Sequence, residues 1–206
     1  MQTRNTKHVT ILLQGGLLSP DKMQAINQLA QQYDLTYYCS TAQNLRLLGA
    51  TEENIDEIKK ALTALDLQVK APGMFPLPKV CVGKPFCNLG LTDTFALSDK
   101  ITARYGSRAD VKPKFKIAVA GCPASCSGAL LADIGIISTR IGYDLYVGGK
   151  GGPLPRVGVR VARGLSEEEV VDAVGRIADF HAANTPKKQR MFKLLDKPDF
   201  PFPLKN

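Results

Sequence analysis

Apolar and polar positions along this chain follow two periods, and the switches between them mark out the elements. HVTILLQGG is a short apolar run closing on Gly15 and Gly16, the pattern of a strand that ends in a turn. Ser19 then predicts a helix N-cap, with Pro20 at the first helical position, where its missing N–H leaves nothing unsatisfied. Met23, Ile26, Leu29 and Tyr33 recur at helical spacing and mark an apolar stripe. LTYYCST, rich in aromatic and β-branched residues, predicts the next strand, with Cys39 inside it as core packing. A second helix is predicted after Thr51, with Ile55, Ile58, Leu62 and Leu65 on one face. This strand–helix–strand–helix unit spans residues 1–70. KAPGMFPLPK follows, and its prolines and glycine make residues 71–80 a connector.

Residues 81–206 read as a second α/β region. A helix is predicted from Thr92 to about Tyr105, and strands at FKIAVAG, DIGIIST, YDLYVGG and RVGVRVA. The last helix opens at SEEE, where Ser166 and Glu169 have the spacing of a capping box, and Val170, Val174 and Ile177 carry its buried face. The tail KPDFPFPLKN holds too much proline to be helical. No internal repeat is visible.

Composition narrows the class. The chain has 206 residues, 44% of them hydrophobic and 22% charged, as a globular protein does. No apolar run approaches the ~20 residues of a membrane span, and the opening MQTRNTKHVT has no signal-peptide core, so a cytoplasmic protein is expected. The formal net charge of +8 favours anionic partners. Nucleic acid is not expected among them, because there is no tryptophan, few aromatics stand beside basic residues, and no reader motif is present.

The chemistry is concentrated in cysteine. Five are present: Cys39, Cys81, Cys87, Cys122 and Cys126. An odd number without an export signal argues against a disulfide framework. His8 and His181 are the only histidines and neither is near a cysteine in sequence, so a metal site here would be mostly thiolate. CVGKPFC and AGCPASCSG together read C-x5-C, a gap of 34 residues, then C-x3-C. Structural zinc sites use tighter knuckles, and a thioredoxin-like pair is C-x-x-C. Four thiolates on two loose loops suit a [4Fe–4S] cluster. Gly83, Gly121, Ala124 and Gly128 would let backbone approach such a core without side-chain clash.

C-x5-C followed by GCPASC resembles the sirohaem–[4Fe–4S] half of the sulfite and nitrite reductases, and the size is that of the small single-half members. The similarity runs through LLQGGLLSPDKMQAINQLAQQY, TAQNLRLLGA, YVGGKGGPLPRVG and LSEEEVVDAV. It implies an α+β fold, with a ferredoxin-like N-terminal α/β unit followed by a sirohaem- and [4Fe–4S]-binding α/β domain. It implies that Cys81, Cys87, Cys122 and Cys126 hold the cluster and that Cys126 also bridges to the sirohaem iron. Lys114 and Lys116 match the family's basic pair that meets the sirohaem carboxylates and the bound oxyanion. If both stand on one strand, alternation turns them the same way, into one pocket where they would stabilise an anion and deliver protons. Thr41 and Gln43 match a cofactor-contacting turn, and Lys150 and Arg156 could likewise meet tetrapyrrole carboxylates, unless GGKGGPLPR is a plain hairpin loop.

Where the family carries arginines in the strand and turn corresponding to YYCSTAQ, this chain has Tyr38 and Ala42. Arginine forks are the natural clamp for sulfite and for carboxylates. Arg46, Lys79 and Lys84 lie close in sequence as substitutes. The resemblance therefore implies reduction of sulfite to sulfide or nitrite to ammonia. The alternative is a sirohaem and iron–sulfur electron-transfer protein without that turnover. No flavin or nicotinamide fingerprint is present, so electrons are expected from an acidic ferredoxin-like donor. A lone half has about half the wall its cofactor needs, which predicts a homodimer.

Overall fold

In the computed structural model, which describes residues 7–186 and 189–204, the chain divides after Ala71 into two units, Met1–Ala71 and Pro72–Asn206. The first contains β1 (Lys7–Ile11), α1 (Pro20–Gln32), β2 (Thr36–Cys39), β3 (Leu45–Ala50) and α2 (Ile55–Ala64). Ser19 Oγ caps α1 by accepting from the N–H of Lys22 at 3.4 Å. Ile26 and Leu29 of the predicted stripe are buried together with Ala30, whereas Met23 is 48% exposed. On α2, Ile58 and Leu62 are fully buried.

β3 corrects the two-strand reading of this unit. NLRLLGA carries leucines rather than β-branched residues and a glycine, so it lacks strand composition. It nevertheless forms the central strand of an antiparallel sheet ordered β1-β3-β2. Tertiary burial decides the outcome: Leu45, Leu47 and Ala50 all enter the core. With β3 in the middle, β2 is left at the edge and all four of its residues are exposed. Cys39 is therefore a surface thiol and not core packing.

The second unit contains β4 (Lys79–Val80), α3 (Gly83–Phe86), α4 (Thr94–Tyr105), β5 (Ile117–Ala120), β6 (Ile134–Thr139), β7 (Gly142–Val147), β8 (Val159–Leu165) and α5 (Glu167–Asn184). Its sheet is ordered β4-β5-β6-β7-β8, with β4, β5 and β6 parallel and β6, β7 and β8 antiparallel. Leu97 and Ile101 of α4 and Val170, Val174 and Ile177 of α5 share one core with Val119, Ile136 and Leu145 of the sheet. Each such side chain, fully buried, stabilises the unit by about 1.5–3 kcal/mol. The capping box of α5 is complete: Glu169 N–H donates to Ser166 Oγ and Ser166 N–H donates to Glu169 Oε2. Phe75, within the proline-rich stretch, is buried in this same core, and its N–H donates to Arg108 O. Among the described residues no helix is long and apolar enough to cross a membrane.

His181 is 1% exposed, with its ring 4.6 Å from that of Phe115 and Nε2 3.1 Å from Gln189 O. Burial pushes its imidazole below the ordinary value of 6.5. The unfolded chain therefore takes up this proton first on acidification. The neutral imidazole's contribution is complete above about pH 6.5 and is lost as pH falls toward the lower folded value. Thermal unfolding scans across this window are expected to show Tm falling with acid, with a shallower fall in His181→Phe.

Candidate metal centre

The two cysteine motifs meet because two strands run parallel. β4 pairs with β5 in the register Lys79↔Ala118 and Val80↔Val119, so both strands end at the same edge of the sheet. Cys81 leaves the end of β4 and Gly121–Cys122 leave the end of β5, the position where parallel sheets present their ligand sites. Cys81 N–H donates to Val119 O at 3.3 Å, and Gly121 N–H donates to Cys81 Sγ at 3.1 Å. Cys87 follows the single turn of α3, and Leu91, four residues on, donates its N–H to Gly121 O at 2.8 Å. Thr94 at the start of α4 closes the arrangement, its hydroxyl donating to Cys81 O.

Glycine is required where these loops touch. A Cβ on Gly121 would lie 3.0 Å from Gly83 Cα, and one on Gly83 would lie 2.8 Å from Thr92 O. The second motif turns back on itself, with Ser125 N–H donating to Cys122 O and Gly128 N–H to Ser125 O. Ser125 takes φ 53, a left-handed conformation that a non-glycine residue adopts at some cost. The hydroxyls of Ser125 and Ser127 are buried and find no hydrogen-bond partner among the described residues. Cys126 between them is exposed, while Cys81, Cys87 and Cys122 are partly so, and none is in a disulfide.

This donor set fits an iron–sulfur cluster. Among the described residues, no three of His, Cys, Asp or Glu close around one point as the ligands of a single ion do. A cubane places each thiolate on its own iron, so its ligands stand apart. Gly121 N–H already donates to a cysteine sulfur, the outer-sphere contact that such sites use to tune their potential.

The lysine pair is placed otherwise than the strand reading requires. Lys114 has φ 78 and lies in a turn, not on β5, so strand alternation does not align it with Lys116. Both are exposed and stand before the start of β5, whereas Cys122 follows its end. The intervening strand separates them by roughly 13 Å at ~3.3 Å per residue. Residues 150–156 are closed as a hairpin loop, with Lys150 and Arg156 exchanging both backbone hydrogen bonds. Their cationic ends lie over the Phe192 ring at 5.3 and 5.4 Å. Thr41, Gln43 and Arg46 belong to the first unit. Thr41 is exposed in the turn, and Gln43 takes φ 61 there. Arg46 reaches over the Tyr38 ring at 5.8 Å, and its Nε is buried without a hydrogen-bond partner among the described residues.

Sequence reasoning missed Asp133. It is fully buried and accepts from the N–H groups of Lys116 and Met191 and from Arg190 Nε, all within 3.0 Å. Arg190 also donates to Gly149 O. One carboxylate thus ties the entrance of β5, the C-terminal segment and the glycine-rich loop. Burial pushes its carboxyl up, and Arg190 with the two N–H donors pulls it back. The only signal was a charge at the head of an apolar strand, in ADIGII.

Comparison with known proteins covers both units of the chain. Residues 77–200 match the nitrite and sulphite reductase 4Fe-4S domain, and residues 1–65 match the nitrite/sulfite reductase ferredoxin-like half domain. An assimilatory-type sulfite reductase of Nitratidesulfovibrio vulgaris is 30% identical over 183 residues, covering 88% of this chain and 83% of that protein. The large subunit of a Klebsiella oxytoca NAD(P)H nitrite reductase is 32% identical over 95% of this chain, which spans only 21% of that subunit. The crystal structure of dissimilatory sulfite reductase I superposes with a TM-score of 0.76 over 92% of this chain and 66% of that one; at 14% identity it speaks for the fold alone. A 4Fe-4S domain and a ferredoxin-like half domain thus account for most of the chain, which belongs to the nitrite and sulfite reductase family of oxidoreductases.

Proposed function

We propose that this chain is a single-half reductase that holds one [4Fe–4S] cluster on Cys81, Cys87, Cys122 and Cys126, takes sirohaem beside Cys126, and reduces sulfite. The observation that carries the proposal is the meeting of the two cysteine loops at the shared end of β4 and β5. Exposure of Cys126, where Cys81, Cys87 and Cys122 are each partly covered, suits the sulfur that faces a second cofactor. Sulfite is preferred to nitrite because an assimilatory-type sulfite reductase is matched over 83% of its own length, and the Klebsiella oxytoca nitrite reductase subunit over 21%. When bound, the metal cofactors would relay electrons from the external donor and provide the site of oxyanion reduction. The protein residues position and screen them: Gly121 N–H holds Cys81 Sγ, and the buried Ser125 and Ser127 hydroxyls offer donors to the guest.

The net charge of +8 suits an acidic ferredoxin-like donor in the cytoplasm. A homodimer would enclose the cofactor between two copies of this chain. Gel filtration of sirohaem-loaded protein is expected to show the dimer; a strict monomer carrying sirohaem contradicts it.

A second reading, electron transfer without sulfite turnover, is favoured by two observations. Lys150 and Arg156 are engaged with Phe192, and the Lys114–Lys116 pair stands at the far end of β5. The spectrum of anaerobically purified protein, before and after sulfite or nitrite, separates the readings. Tetrapyrrole bands that shift on adding sulfite to reduced protein, with turnover, support the first. Bands without shift or turnover select the second. On the first reading Lys116→Ala is expected to leave cluster content intact and to lower turnover by about 10²-fold, the lower end for loss of a proton donor. On the second, replacing Lys116 at the far end of β5 leaves the spectrum and the cluster content unchanged.

A further inference from the structure

Lys79 is half-buried on β4, and its Nζ lies 3.9 Å from where a Cβ on Gly128 would sit. Its side chain thus reaches from the segment that leads into Cys81 across to the end of the second cysteine loop. It arrives one residue past Ser127, whose buried hydroxyl has no hydrogen-bond partner among the described residues. The partly covered Lys150 lies over the Phe192 ring, and Arg108 and Arg190 of this unit, with side chains 19% and 16% exposed, each hold a carboxylate. Among the described residues Lys79 pairs with none. A half-buried ammonium without a counter-charge is unfavourable, unless an anion belongs beside it. An iron–sulfur core held by thiolates is such an anion, and its charge deepens on reduction.

We propose that Lys79 is the resident counter-charge of the cluster and raises its reduction potential, an inference that rests on the cluster reading above. Lys84 does not share the role, since it is exposed on α3, and Lys114 and Lys116 are a strand away. A fixed positive charge stabilises the more negative, reduced core more than the oxidised one, and partial burial limits its screening by salt.

The test is a spectroelectrochemical titration of anaerobically reconstituted full-length protein with Lys79→Met and Lys79→Arg. Lys79→Met is expected to make reduction about tenfold less favourable, a shift of about 59 mV to more negative potential for a one-electron couple. Lys79→Arg is expected to stay near wild type. If the wild-type protein takes up no cluster, the cluster reading fails and this inference with it. If the cluster forms and Lys79→Met keeps the wild-type potential, the inference is overturned while the cluster reading stands. If Lys79→Met binds no cluster, Lys79→Arg decides: a cluster at wild-type potential supports the assignment of charge, and its loss overturns it.

Discussion

Cys126→Ser is expected to reduce the iron and acid-labile sulfide retained after anaerobic reconstitution by at least ~10-fold, a loss seen when even an outer partner of a metal ligand is removed. A serine hydroxyl stays protonated where a thiolate binds, and it offers a hard donor to a soft iron–sulfur core. The fold should survive, because Cys126 is exposed and the turn around it is held by backbone hydrogen bonds from Ser125 and Gly128. Far-ultraviolet circular dichroism should therefore be unchanged. Cys39→Ser is the control, since Cys39 lies on the exposed edge strand of the other unit. Equal loss in both variants would show general thiol damage and not a ligand role.

Asp133→Ala is expected to lower the stability of the second unit by about 3–5 kcal/mol, the effect of removing one member of a buried ion pair. The change strands the Arg190 guanidinium, which is 16% exposed at its side chain, and leaves the N–H groups of Lys116 and Met191 without their acceptor. Against a typical total of 5–15 kcal/mol this is a large fraction. Asp133→Asn keeps one acceptor oxygen and should lose less. Urea unfolding midpoints measure both. A midpoint for Asp133→Ala within error of wild type would mean that the three contacts to Asp133 do not hold the segment together.

The helices were legible because their signals are local. Ser19–Pro20 and Ser166–Glu169 act within one turn of the chain, and both caps formed as read. β3 was not, because Leu45, Leu47 and Ala50 become a strand only by pairing with β1 and β2 on either side. The same long-range pairing moved Cys39 from the expected interior to the edge. In the site, two pairs of cysteines on glycine-containing loops pointed to loops that must meet, and the parallel register of β4 and β5 brings them to one edge. The depth of Asp133 and the reach of Lys79 were not legible, because each is set by a contact between segments 17 or more residues apart. Lys114 shows the converse hazard: K-x-K suggests a strand face, but the proline before it and a positive φ place it in a turn.

Mössbauer and iron–sulfide analysis of the anaerobically reconstituted chain tests the central claim most directly. One cubane [4Fe–4S] cluster per chain, lost when the residues of either cysteine loop are replaced by serine, is the predicted result. A chain that takes up a single zinc or iron ion in place of the cluster, or that keeps its cluster after Cys81 and Cys122 are both replaced, would contradict it.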